Sequence, residues 1–132
     1  MRRPGGEKRW SVEDLELFKR AYRLSLELHN VSLDFPKIEQ FGGLADQLRR
    51  ASKSVCSMIV EGAGRQQSSP KEFARYLTMA IGSAEEAKLW CRYASDLGYV
   101  DEQRARDWRE RSSQILRMLM KLRASVQQRS DH

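Results

Sequence analysis

Residues 59–73 read IVEGAGRQQSSPKEF. Two glycines one residue apart, an arginine, two serines and a proline suit either a phosphate-cradling loop or a corner between helices. Which of the two it is decides the fold. Dinucleotide and P-loop fingerprints follow a strand and open a helix. Here apolar residues recur at the helical period on both sides. Leu44, Leu48, Ala51, Val55, Met58 and Gly62 come before the stretch, and Phe73, Leu77, Ala80, Ala84, Ala87, Cys91 and Ala94 come after it. The stretch therefore reads as a corner. Gly62 and Gly64 fall where the first of these helices must stop, and glycine favours a left-handed C-terminal turn. Ser69 is the expected N-cap of the next helix, with Pro70 first in the helix and Glu72 completing S-x-x-E.

Two more helices flank this pair. The first opens at Ser11, with Asp14 three residues on, and continues through Leu17, Ala21, Leu24, Leu28 and Val31 until Pro36 and Gly42-Gly43 break the pattern. The last opens at Asp101 after Gly98 and runs through Trp108, Ser112, Ile115, Leu119, Leu122 and Val126. Four amphipathic helices with short corners predict an all-α, antiparallel up-down four-helix bundle over residues 11–126. A basic arm, 1–10, precedes it, and a tail without a period, 127–132, is expected to fray. The small residues of TMAIGSAEEA (78–87) predict close packing around the third helix. The apolar stripes are wider than one face: Phe18, Tyr22, Ile59, Tyr76, Leu89, Trp90 and Leu116 flank the core positions. Surplus apolar surface of this kind predicts self-association, with Phe18, Tyr22, Tyr76 and Trp90 at the interface between copies.

With 132 residues the chain makes one domain. Two cysteines are too few for a disulfide framework. No apolar run reaches the length of a membrane span, and no apolar segment follows Arg2 and Arg3. A cytoplasmic protein with reduced thiols and no membrane partner is expected. The net charge is +6. By segment it is +3 over 1–9, −2 over 10–41, +2 over 42–69, zero over 70–100 and +3 over 101–132. On the last helix Asp107 and Glu110 interrupt Arg104, Arg106, Arg109 and Arg111. The second helix, with Arg49, Arg50 and Lys53 and with Arg65 beyond its end, is the expected phosphate-contacting stripe. Arg65, Ser69 and Lys71 form a candidate anion site at the start of the third helix.

No constellation for catalysis stands out, and no cofactor is expected. His29 and His132 lack metal-ligand spacing to a second donor. Cys56 and Cys91 sit on apolar faces, where a thiol behaves as a small hydrophobe. The Glu85-Glu86 pair lacks the Glu-x-x-His motifs of di-iron bundles. Glu61, just before the corner, is assigned a structural role as partner of an arginine or of loop N–H groups.

The stretches FPKIEQFGGLADQLRRASKSV (35–55), IVEGAGR (59–65), KEFARYLTMAIGSAEEAKLW (71–90) and ASDLGYVDEQ (94–103) also carry a family resemblance. In this order they resemble the four-helix-bundle proteins encoded within intervening sequences of bacterial large-subunit ribosomal RNA genes. That superfamily includes the accessory variability determinant of diversity-generating retroelements. The resemblance implies a homopentameric, barrel-like ring, in a family for which no catalytic activity is established; the retroelement members bind a reverse transcriptase and nucleic acid through a basic surface. The family's usual IPANIAEG is VCSMIVEG here, with Cys56, Met58 and Val60 at the departures. The expected function is that of a non-catalytic homo-oligomer that binds RNA or DNA through a basic surface, as accessory to a nucleic-acid enzyme. The alternative is a structural or protein-recruiting scaffold.

Overall fold

The computed structural model describes Val12 and residues 15–130. The predicted cap Ser11, its partner Asp14, the arm 1–10 and the last two residues lie outside them. Four helices make up the described chain: α1 (Glu16–Ser32), α2 (Leu44–Ala63), α3 (Pro70–Asp96) and α4 (Glu102–Ser130). A short 3-10 turn, Lys37–Glu39, lies in the α1–α2 corner. No helix is long and apolar enough to cross a membrane.

Local chemistry accounts for the helix ends. The backbone N–H of Glu72 donates to Ser69 Oγ at 3.1 Å, and Pro70 fills the first helical position. The Arg104 N–H donates to Asp101 Oδ1 at 2.7 Å, so Asp101 caps α4 as its sequence position suggested. At the end of α3, Gly98 adopts φ +80°, and the N–H groups of Gly98 and Tyr99 reach back to Ser95 and Ala94 in a Schellman turn. Three local expectations need correction. Glu72 turns away from Ser69 to grip Arg75 at 3.1 and 3.2 Å, so the reciprocal half of the capping box does not form. Gly64 caps α2 at φ −64°, and neither Gly62 nor Gly64 is left-handed. Residues 127–130 continue α4 instead of fraying, because Gln and Arg are good helix formers and Val126 still anchors the last turns in the core.

Neighbours along the chain are neighbours in space. The pairs α1–α2, α2–α3, α3–α4 and α1–α4 pack together, whereas the diagonal pairs do not meet. Polar contacts set the antiparallel register on all four seams. These are Ser25 Oγ to Ser52 Oγ at 3.2 Å, Ser83 to Ser54 at 2.8 Å, Arg123 to Thr78 at 3.3 Å, and Arg20 to Gln114 at 2.9 Å. The fold is thus the up-down four-helix bundle. All seven predicted inward positions of α3 are buried, and four of them are alanines. With so little side chain in the way, α2 and α4 pack most extensively against α3. Bulk comes from Trp108, Phe73, Leu28, Leu48 and Leu119. On α2 the buried residue is Ile59 and the half-buried one is Met58, reversing the expected order. Leu116 is likewise core and needs no outside cover.

Candidate nucleic-acid interface

Each cation expected to form the α2 stripe has a different fate in the fold. Arg49 turns inward over the α1–α2 corner, where its guanidinium donates to Ser32 Oγ at 2.9 Å, to Gln40 Oε1 at 3.1 Å and to the Gln40 carbonyl at 3.0 Å. Gln40 in turn donates to the carbonyls of Ser32 and Phe35. Arg49 therefore braces the corner, with its guanidinium engaged within the chain where a phosphate contact was expected. Arg50 is exposed and pairs with Asp46 at 3.2 Å. Lys53 is exposed with no carboxylate partner among the described residues. Arg49→Ala is expected to cost about 1–3 kcal/mol, because it leaves corner acceptors without a donor, while Arg50→Ala leaves the melting temperature near that of the parent. Paired thermal melts check the contrast.

The corner itself is engaged. Arg65 binds the Glu61 carboxylate and carbonyl, both at 2.8 Å, and lies 4.8 Å from the Tyr76 ring centroid. Glu61 and Arg65 form an exposed ion pair across one helical turn. Arg75 stands 5.0 Å from the same ring, so Tyr76 is flanked by two guanidinium groups. Ser69 Oγ is occupied by its cap. Of the proposed anion trio, Arg65 and Ser69 are engaged, and Lys71 is exposed with no partner among the described residues.

Burial pushes the thiol of Cys56 up to about 11 and that of Cys91 up to about 12, so both stay protonated at neutral pH. Burial, then Lys53 and Arg49, lowers the pKa of His29. Among the described residues no three His, Cys, Asp or Glu stand together in a way that could hold a metal ion.

Antiparallel packing sorts the charges by end. With each helix divided at its midpoint, the half that holds the α2–α3 corner comprises residues 15–24, 54–83 and 116–130. It carries ten lysines and arginines against three carboxylates, Glu16, Glu61 and Glu72, a net +7. The opposite half carries ten against eleven, a net −1. The decisive contribution is α4 from Arg111 to Ser130, which contains no acidic residue. Arg117 and Lys121 are exposed one turn apart, and Arg129 is exposed near the end. Lys19 on α1, the helix packed against α4, is exposed as well. None of these four has a carboxylate partner among the described residues. The region went unnoticed in the sequence because Asp107 and Glu110 interrupt the arginines earlier in the same helix. The acid-free run was the signal available.

Apolar exposure follows another geography. Phe41 is 91% and Ile38 84% exposed on the braced α1–α2 corner, at the end opposite the basic half. On α3, Leu89, Tyr93 and Leu97 form an exposed stripe beside half-buried Trp90, whose ring lies 5.6 Å from that of Tyr93. Phe18 and Tyr22 stack at 5.7 Å with an interplanar angle of 13° on α1, with Tyr22 49% exposed.

Fold and surface together define an all-α up-down bundle with one strongly basic half. The chain belongs to the 23S rRNA-intervening sequence protein family, whose model matches residues 13–121. Among solved structures it is similar to a protein of unknown function from the S23 ribosomal protein family of Bacteroides thetaiotaomicron. That similarity is 17% in sequence and covers 80% of this chain and 96% of the other, with a TM-score of 0.72, which supports the shared fold. No curated protein matches the chain.

Proposed function

We propose that this chain is a non-catalytic, self-associating bundle that binds nucleic acid through its basic half, as accessory to a nucleic-acid enzyme. The observation that carries the reading is the division of charge, +7 at one end against −1 at the other. Arg117 and Lys121 stand at i and i+4, a like-charge pairing that costs a helix a few tenths of a kcal/mol. A polyanion laid across α4 and α1 turns that cost into attraction. Self-association, with five copies as the family resemblance implies, is supported by the exposed stripe Leu89, Tyr93 and Leu97 beside Trp90. Several copies would strengthen a modest phosphate contact by raising its effective concentration.

A titration of labelled RNA at several salt concentrations tests the proposal. Four engaged cations give a slope of about −3 to −4 in log affinity against log salt. An unshifted RNA at the lowest salt would remove the reading. The scaffold alternative has one observation in its favour, the rigid presentation of Ile38 and Phe41. It would be selected by an assembly larger than one chain that shows no RNA binding.

A further inference from the structure

We infer that the α1 face formed by Phe18, Lys19, Tyr22 and Arg23 is a stacking shelf for the unpaired bases of a single-stranded nucleic acid. This inference rests on the nucleic-acid reading above and names the form of ligand. Phe18 is half-buried against the core and Tyr22 stacks on it, so the tyrosine ring is held in place while about half of it, 49%, remains in solvent. Lys19 and Arg23 border the same open depression. The Lys19 ammonium has no partner among the described residues. Arg23 is 63% exposed; its guanidinium donates to the Lys19 carbonyl at 3.3 Å and to Glu16 at 3.4 Å.

An aromatic platform bordered by cations is the arrangement by which proteins hold single strands: bases stack on the rings and phosphates follow the charges. Duplex bases are stacked on one another and cannot reach such a ring. The surroundings favour this occupant over a second copy of the chain. The shelf lies in the +7 half, where the same face of another copy would set Lys19 and Arg23 against like charges. The most exposed apolar groups, Phe41 and Ile38, and the stripe of Leu89, Tyr93 and Leu97 lie in the nearly neutral half. In the basic half Tyr22 is the one aromatic among the exposed large apolar side chains of the described residues, beside the aliphatic Val60, Met79 and Met120. Phe18 and Tyr22 are thereby assigned to nucleic acid, not to the contact between copies.

The test uses the full chain, labelled oligo(U) and an RNA duplex of equal length. Tyr22→Ala should weaken oligo(U) binding about tenfold and leave duplex binding unchanged, while Tyr22→Trp retains oligo(U) binding. Light scattering should give the same assembly mass for all three proteins. Equal losses on both probes, or no loss on either, would overturn the shelf while leaving the nucleic-acid reading in place. A fall in assembly mass for Tyr22→Ala would overturn it as well, since the ring would then be covered by another copy. Failure of the parent protein to bind either probe would sink the underlying reading itself.

Discussion

Reversing two charges on α4, in the double variant Arg117→Glu and Lys121→Glu, is expected to weaken RNA binding about a hundredfold near 0.1 M salt. Each phosphate contact near that concentration is worth about a factor of ten through counterion release. Both side chains are exposed and unpaired among the described residues, so their loss removes no internal bond. The slope of log affinity against log salt should also become shallower by about two. The matching double variant Lys88→Glu and Arg92→Glu changes net charge by the same amount in the opposite half. It should alter affinity far less. Comparing the two separates a localised interface from a general effect of net charge. Equal losses from both variants would show that the basic half is not the contact surface.

Gly62 and Gly64 should respond to alanine in opposite directions. A methyl group at Gly62 would lie 2.8 Å from Phe73 Cδ1 and 3.0 Å from Tyr76 Cβ, inside the α2–α3 seam. Phe73 is 1% exposed and cannot move aside without disturbing the core. Gly62→Ala is therefore expected to cost about 1–3 kcal/mol through overpacking. Gly64 has φ −64°, and its added methyl group would meet nothing nearer than 3.5 Å. Alanine fits that backbone and reduces the freedom of the unfolded chain, so Gly64→Ala should gain about 0.4–1 kcal/mol. Denaturant melts of the two variants read the signs directly. A stable Gly62→Ala would mean that the seam is looser than these distances.

This contrast marks how far the sequence could be read. A glycine pair between two helical periods signals a corner, and the corner is there. The left-handed turn expected of both glycines belongs instead to Gly42 and Gly98. Gly62 is required for a different reason, the close approach of α3, which no local pattern records. The α2 stripe shows a similar limit. From Val55 the period permits either Met58 or Ile59 inward, and the position of the neighbouring helices selects Ile59. Arg49 and Arg50 look alike in sequence, yet one reaches back to Ser32 on α1 and the other lies against Asp46 one turn away.

Helix number, the caps at Ser69 and Asp101, the turn at Gly98 and the inward seam of α3 were determined by sequence alone. They depend on contacts within a few residues and on a period that repeats along one helix. The division of charge between the two ends, the inward turn of Arg49 and the grouping of Lys19 with the acid-free half of α4 were decided by tertiary structure. Antiparallel packing places the first half of one helix beside the second half of the next. Charges of both signs that follow one another along a helix therefore separate between the two ends of the bundle.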